Sequence, residues 1–142
     1  MLVVKRADYS KDEDIIRDIR TRVFTLEQNV NSDEDFDGLD SSAIHVIAYD
    51  GKKPIGTARM LELETGGAKL GRMAVLKRYR GMGAGKKMAE MLVKMARAMG
   101  MKEVEANSQV NAMGFYEKLG FKPEGPIFKD AGIDHRKMRL KF

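Results

Sequence analysis

Cysteine and tryptophan are absent from the 142 residues, and histidine occurs only twice. The lack of cysteine excludes disulfides and thiolate metal sites, and two histidines alone are a poor basis for zinc, so we expect no metal. No segment approaches the roughly 18 consecutive apolar residues of a membrane helix. The first residues turn acidic without the apolar stretch of a secretory signal. We therefore expect a cytoplasmic protein without a membrane partner.

Positive charge is missing between Val23 and Gly51, where seven acidic residues occur, whereas Lys69 to Lys102 contains ten basic residues and only one acid. The net charge of +5 is thus divided unevenly. Such asymmetry suggests that one half meets an anion and the other a cation, although two solvated faces would give the same pattern. The length, the 43% apolar fraction and the absence of repeats or linkers predict one domain over residues 1–142.

The hydrophobic pattern predicts the order β-α-β-β-β-α-β-α-β-β, a mixed α/β sheet. Apolar residues at helical spacing indicate a helix over 11–28 and a second one after Gly83, whose methionines we assign to the core. Asp50-Gly51-Lys52 is typical of a hairpin turn between two antiparallel strands. The acidic residues 29–42 are predicted to form a loop, either irregular throughout or with one turn of helix.

Between the third internal strand and the second long helix lies RYRGMGAGKK, residues 78–87, with three glycines and four cations. Glycine permits positive φ, so successive N–H groups at a helix start can converge on one anion. A Walker A loop is excluded because position 80 is arginine and position 87 is lysine. A Rossmann fingerprint is disfavoured because Gly81, Gly83 and Gly85 have the wrong spacing.

Arg80-Gly81-Met82-Gly83-Ala84-Gly85 resembles the coenzyme A pyrophosphate loop of the GNAT acetyltransferase superfamily. A second stretch, Asn111 to Phe121, is similar to the signature in which a helix carrying Phe-Tyr ends at Leu-Gly-Phe. The chain also resembles the ElaA-like branch of this superfamily at five short stretches: Val23-Phe24, Glu27-Gln28, Gly71-Arg72, Ser108-Gln109 and Gly132 to His135. The resemblance implies a single-domain GNAT-like fold. It has a mixed, mostly antiparallel central sheet flanked by helices, with a V-shaped splay after the fourth strand.

This resemblance implies an N-acetyltransferase that moves an acetyl group from acetyl-CoA, its co-substrate, to a primary amine by direct attack in a ternary complex. The backbone around Met73, Ala74 and Val75 would pair with the pantetheine arm. The implied cofactor-binding residues are Met73, Ala74, Val75, Arg80, Gly81, Met82, Gly83, Ala84, Gly85, Lys86, Gln109 and Tyr116. Many relatives have asparagine where this chain has Gln109, which puts that side-chain contact in question.

Proton transfer supplies two catalytic candidates. A lysine-like amine with a pKa near ~10.4 is free in roughly one molecule of 2,500 at neutral pH, so a general base would help. We predict Glu27 as that base because it ends the first helix and matches the acid of the branch, although a solvated helix-end carboxylate is the alternative. We predict Tyr116 as the acid that protonates the departing thiolate. Its alternative is core packing.

The roles of four further polar residues stay open. His45 could face the core or the cleft, and His135 begins a strand near the acceptor side. For Arg59 we favour structural pairing with Glu62 or Glu27. Arg72 could pair in the same way or bind a substrate carboxylate.

Other functional classes compete with the enzyme. A non-catalytic acyl-CoA-binding sensor would share the loop. Nucleic-acid binding is disfavoured because Tyr79 is the only aromatic residue within the basic segment. The acceptor is expected to be a small-molecule or protein amine, attracted as a cation by Asp33 to Asp40. Some relatives form homodimers, and this chain could as well.

Overall fold

The computed structural model describes all residues from Met1 to Phe142. Seven strands lie in one sheet with the order β1-β2-β3-β4-β5-β7-β6. The strands are β1 Leu2–Ala7, β2 Ile44–Asp50, β3 Lys53–Glu62, β4 Ala68–Val75, β5 Glu103–Gln109, β6 Lys122–Asp130 and β7 Ile133–Lys141. The helices are α1 Tyr9–Arg20, α2 Ser32–Asp35, α3 Ala84–Ala98 and α4 Met113–Lys118, with a π-helix at Thr21–Glu27. Single 3-10 turns occur at Asp40–Ser42, Lys77–Tyr79 and Val110–Ala112.

The predicted mixed and mostly antiparallel sheet is confirmed. Every neighbouring pair of strands is antiparallel except β4 and β5. That parallel pair is short, since only Ala68–Leu70 of β4 align with Val104–Ala106 of β5. Beyond Leu70 the two strands lose their pairing, which produces the predicted V-shaped splay after the fourth strand.

A bulge in β4 lies at the start of the splay. Thr57 of β3 faces Ala74, and Arg59 faces Gly71, so Arg72 and Met73 together oppose one residue of β3. Arg72 has a φ of 49°, a left-handed conformation that is uncommon for a residue with a side chain. Because a bulge bends its strand and increases the local twist, it directs β4 away from β5.

The main core lies between one face of the sheet and α3. Met88, Ala89, Leu92 and Ala96 of α3 are fully buried there. The helix approaches β3 closely at Gly56, where a Cβ atom would lie 3.1 Å from both the Ala74 carbonyl oxygen and the Met88 methyl group. The prediction that the α3 methionines pack in the core therefore holds for Met88. Met99, just beyond the end of α3, is 48% exposed.

The other face of the sheet is covered by α1, which begins after Asp8. The Asp8 carboxylate caps the helix by accepting from the Ser10 N–H. The chain then widens into the π-helix, and the Gln28 N–H donates to the Val23 carbonyl five residues back. None of the helices is both long enough and apolar enough to span a membrane.

Candidate active site

A cavity of about 280 Å³ lies where β4 and β5 separate. Both open strand ends line it, together with the π-helix, α2, α4 and the β6–β7 hairpin. The lining residues are Phe24, Gln28, Val30, Glu34, Asp35, Lys69, Leu70, Gly71, Arg72, Met73, Asn107, Ser108, Gln109, Ala112, Phe115, Tyr116, Asp130, Ala131, Ile133 and His135. The splay of the sheet thus creates a recess into which several of the predicted functional side chains converge.

The glycine-rich loop adjoins this cavity at the start of α3. Gly81 and Gly83 have φ values of 82° and 85°, and a Cβ at either position would meet nothing within 4 Å. The N–H groups from Gly81 to Lys86 have no backbone acceptor; the first one with a partner is that of Lys87, which donates to Gly83. Six free donors at the positive end of a helix dipole favour the binding of an anion.

The loop and the cavity are joined through Gly85. A Cβ there would lie 3.4 Å from the Met73 sulfur and 3.6 Å from Phe115 Cζ, and both of these side chains line the cavity. A long ligand that places a diphosphate on the loop can therefore continue past Met73 into the splay. Free N–H donors and an open cavity therefore lie next to each other, joined by the Met73 and Phe115 side chains.

Tyr116 of α4 reaches the cavity from the core side. The residue is 8% exposed, and its ring packs edge-on against Phe115 and Phe121 with centroid distances of 5.1 and 5.5 Å. Its hydroxyl makes no hydrogen bond within the protein, yet it is not sealed off from the cavity. Burial raises the pKa of Tyr116 to about 12. The hydroxyl thus keeps its proton at neutral pH and has no partner but what enters the cavity.

The family whose description is Acetyltransferase (GNAT) domain matches residues 7–142, nearly the whole chain. The protein belongs to the GNAT acetyltransferase family. It is an acetyltransferase. Enzymes of this family act on amine acceptors.

Three comparisons show how far the likeness extends. YjcF, an uncharacterized N-acetyltransferase of Bacillus subtilis (strain 168), is 36% identical over 137 residues, covering 94% of this chain and 97% of that protein. The crystal structure of Escherichia coli ElaA has a TM-score of 0.88 at 22% identity and covers 99% of this chain and 100% of that chain. The structure of a streptothricin acetyltransferase of Bacillus anthracis str. Ames, in complex with acetyl coenzyme A, has a TM-score of 0.61 at 24% identity. The match covers 70% of this chain and 62% of that chain. The predicted GNAT resemblance is confirmed, and the likeness to ElaA is confirmed for the fold.

Within this acetyltransferase, the two acid–base candidates lie in different surroundings. Tyr116 lines the cavity, whereas Glu27, at the end of the π-helix, does not. The Glu27 carboxylate accepts two hydrogen bonds from Arg80, at 2.6 and 2.7 Å. These hydrogen bonds lower the pKa of Glu27. A lower pKa and an occupied carboxylate both reduce its capacity to accept a proton.

Arg80, predicted to contact the cofactor, bridges two parts of the protein. Its Nε donates to the Val75 carbonyl at 2.9 Å, while its terminal nitrogens hold Glu27. The loop is thereby fixed to the end of β4 and to the π-helix. Arg80 would therefore position the predicted anion site without having to contact the anion.

The three β4 residues predicted to pair with pantetheine differ in exposure. Met73 lines the cavity. Ala74 is buried against Ile19 and Val23 below α1, and Val75 packs at the edge of the main core, so their side chains do not reach the cavity. A contact of these two residues with a ligand would have to use the backbone, as predicted.

Gln109 lines the cavity at the end of β5, and its amide nitrogen donates to the Gln28 side-chain oxygen at 3.0 Å. This bond joins β5 to the end of the π-helix. The helical period places Gln28 at a helix end but gives no reason to connect it with Gln109, which is 81 residues away. Tertiary pairing of this kind has no signal in the local sequence.

The acidic segment is largely neutralised by arginines. Arg20 contacts Asp35 and Asp40 at 2.9 and 2.6 Å, and both partners are buried. Arg59 contacts Asp37 and Asp40 at 2.6 and 2.9 Å, which confirms structural pairing for Arg59 but with other partners than Glu62 or Glu27. The proposed attraction of a cationic acceptor by Asp33 to Asp40 therefore loses three of its charges to internal ion pairs.

Arg72 connects this ion cluster to the β4 bulge. Its guanidinium donates to the Asp35 and Glu34 carbonyls, both at 3.0 Å, and to the Asp37 carboxylate at 3.2 Å. Two of its three acceptors are backbone groups of α2. Arg72 thus fixes the wall of the cavity formed by Glu34 and Asp35.

The two histidines have separate environments. His45 is buried outside the cavity, stacked on Tyr9 at 4.7 Å, with its Nε2 bonded to the Asp40 carbonyl. His135 lines the cavity from β7. Sequence reasoning did not select Asn107, Lys69 or Asp130, which also line it. Their positions follow from the strand register and the hairpin, not from any motif.

Proposed function

We propose that this acetyltransferase binds acetyl-CoA through the backbone amides of Gly81 to Lys86 and transfers the acetyl group directly to a primary amine held in the cavity between β4 and β5. The position of Gly85 is the observation that supports the proposal. Gly85 belongs to the loop with six free N–H donors, and the side chains next to it, Met73 and Phe115, line the cavity that the Tyr116 hydroxyl reaches. Bound acetyl-CoA would supply an activated thioester. The residues of the chain supply position and protons.

The loop would hold the diphosphate with Gly81, Met82, Gly83, Ala84, Gly85 and Lys86, and Arg80 would keep the loop in place. Gly81 and Gly83 have positive φ, and a Cβ at either position would meet nothing within 4 Å, so no neighbouring group blocks the approach to them. Lys86 adds a positive charge to the helix dipole. Met73 would flank the arm, while the backbone of Ala74 and Val75 extends the slot by strand-like pairing.

Tyr116 would serve the departing sulfur. The departing thiolate, whose conjugate acid has a pKa near ~8.5, is a weaker base than the phenolate of Tyr116, so complete proton transfer is uphill by about 5 kcal/mol. The hydroxyl therefore donates a hydrogen bond first and releases its proton only as the amine loses one. Glu27 stays a predicted base, but it would have to leave Arg80 before it could accept a proton.

A free-thiol assay with a panel of amines tests the function. Purified protein and acetyl-CoA are combined with diamines, amino acids, aminoglycoside-like amines and lysine peptides, and the best product is identified by mass spectrometry. We expect amine-dependent thiol release and a mass increase of one acetyl group on nitrogen. Tight acyl-CoA binding without thiol release for any amine would favour the sensor alternative.

A further inference from the structure

His135 offers an unused proton acceptor inside the active-site cavity. Its Nδ1 lies 2.8 Å from the Ile133 carbonyl oxygen. A carbonyl oxygen can only accept, so Nδ1 carries the hydrogen. In the neutral ring Nε2 is then a bare acceptor. Nε2 makes no hydrogen bond within the protein and is not sealed off from solvent.

The surrounding strands hold the ring in place over this cavity. His135 pairs with Gln109 of β5 and with Phe128 of β6, so the three side chains lie in one row on the same face of the sheet. The Phe128 ring stacks on the imidazole with a centroid distance of 6.0 Å. On the other side, Gln109 is fixed by its bond to Gln28. A ring stacked on Phe128 and bonded through Nδ1 has the arrangement of an oriented general base.

We propose that Nε2 of His135 is the general base that removes the proton from the attacking amine. The proposal rests on the acetyl transfer proposed above and assigns the base within it. The neutral amine nitrogen bonds to the acetyl carbon, the carbon–sulfur bond breaks, and the proton lost by nitrogen goes to Nε2. The sulfur takes the Tyr116 proton, and exchange through solvent returns a proton from the imidazolium to the phenolate. One proton has then moved from nitrogen to sulfur.

Other charged groups near His135 do not supply an equal acceptor. The titratable groups that share its cavity are Glu34, Asp35, Lys69, Arg72, Tyr116 and Asp130. Asp35 is bound by Arg20, and Tyr116 is protonated. On its own hairpin Lys129 and Asp134 pair at 2.9 Å, and Lys137 lies 3.8 Å from Glu105. Glu34 and Asp130 are the carboxylates that remain. The variants below distinguish their effect on the pH profile of kcat from that of His135.

The tautomer can be measured without any turnover. The chain has two histidines, and the structure gives them opposite tautomers, because the His45 bond to the Asp40 carbonyl uses Nε2. Long-range ¹H–¹⁵N correlation spectra at pH 8 should show one ring protonated at Nδ1 and one at Nε2. The Nδ1-protonated signals should vanish in His135→Gln. If His135 proves to be protonated at Nε2, the proposal is overturned.

Kinetics then test the role with the best amine found. We expect His135→Gln to lower kcat at pH 7.5 by about 10²-fold or more and to remove the acid limb of the kcat–pH profile. Affinity for desulfo-CoA, measured by calorimetry, should stay within about twofold of the wild-type value, which reports a folded cofactor site. Imidazole should restore part of the activity of His135→Ala. Tyr49→Phe, which removes a hydroxyl outside the cavity, should retain the wild-type limb.

The outcomes separate the two proposals. Retention of kcat and of the acid limb by His135→Gln, with loss of both in Glu27→Gln, would overturn the assignment to His135 and leave acetyl transfer intact. Loss of kcat and of the acid limb in Glu34→Gln or Asp130→Asn, with both retained in His135→Gln, would also overturn the assignment to His135. Absence of acetyl transfer by the wild-type protein with every amine would overturn the proposed function, and the base assignment with it.

Discussion

At the scale of single residues, Tyr116 shows how position decides chemistry. The sequence predicts an aromatic residue on a short helix, and a phenol there could equally be a core residue with a satisfied hydroxyl. The structure buries the ring between Phe115 and Phe121 and leaves the hydroxyl without a partner at the cavity. A donor that has no internal acceptor and is open to the cavity is free to bond to a ligand there, which is consistent with a role toward the substrate.

Replacing Tyr116 with phenylalanine should therefore lower kcat and leave binding intact. We expect a loss of about 10²-fold in kcat, the lower end of typical acid–base contributions, since the ring packing is retained. Calorimetry with desulfo-CoA should show affinity within about twofold of wild type. Tyr49→Phe, which removes a hydroxyl far from the cavity, provides the control. Full kcat in Tyr116→Phe would remove this hydroxyl from the chemistry.

At the scale of elements, the β4 bulge and α2 form one unit through Arg72. Arg72 adopts a left-handed conformation at the bulge while its guanidinium holds two carbonyls of α2. Resemblance predicts the motif Gly71-Arg72, but the sequence alone leaves the partner of Arg72 open. The reason is physical: the acceptors are backbone oxygens 37 and 38 residues away, and backbone acceptors have no residue-type signature.

Arg72→Gln should loosen the acceptor side of the cavity. We expect the KM for the amine to rise several-fold, because the wall containing Glu34 and Asp35 loses two hydrogen bonds worth about 1 kcal/mol or more each. Steady-state kinetics against the amine and against acetyl-CoA, measured separately, check this. Arg22→Gln, which breaks an exposed pair with Asp18, is the matched control. Equal increases in both KM values would contradict a role confined to the acceptor side.

The first helix marks another limit of sequence reasoning at this scale. The apolar period predicts one helix over 11–28, whereas the chain forms α1 to Arg20 and then the wider π-helix. Local spacing cannot distinguish these, because a π-helix is stable only where tertiary packing compensates for its poorer geometry. Its consequence is functional, since the residues that follow the widening, Phe24 and Gln28, line the cavity.

At the scale of the whole molecule, the order of strands and helices could be predicted while the charge pairing could not. Periodicity and turn residues indicate each element locally, and the resemblance implies the mixed, mostly antiparallel sheet and its splay after the fourth strand. The charge pattern predicts that the acidic segment attracts a cationic acceptor, but Asp35, Asp37 and Asp40 lie against Arg20, Arg59 and Arg72. A charge run reveals its partners only after distant strands are brought together.

The ion cluster gives the fold a predictable acid sensitivity. Hydrogen bonds from Arg59 hold the pKa of Asp37 well below its usual range. Burial alone would raise the pKa of Asp40, but its hydrogen bonds to Arg20 and Arg59 outweigh that effect and lower it. Below pH ~4 the unfolded state therefore binds more protons than the folded state, and the free energy of unfolding falls as pH falls.

Urea denaturation at a series of pH values checks this expectation. Asp37→Asn should be less stable than wild type at pH 7 and should show a shallower decline of stability below pH ~4, because one proton-linked group is gone. Asp18→Asn, on an exposed pair, should keep the wild-type slope. An unchanged slope in Asp37→Asn would show that this carboxylate is not a source of the acid sensitivity.

The molecule functions as proposed only if the amides between Gly81 and Lys86 hold the diphosphate of coenzyme A, and calorimetry with desulfo-CoA measures this most directly. Gly83 and Gly100 have nearly equal φ values, 85° and 81°, and at both positions a Cβ atom would meet open space, but only Gly83 belongs to the loop. Valine at either site should cost similar stability, because β-branched residues strongly disfavour positive φ. The account predicts that Gly83→Val loses at least about tenfold in affinity while Gly100→Val stays within about twofold of wild type. Wild-type affinity in Gly83→Val, or no binding by the wild-type protein, would contradict it.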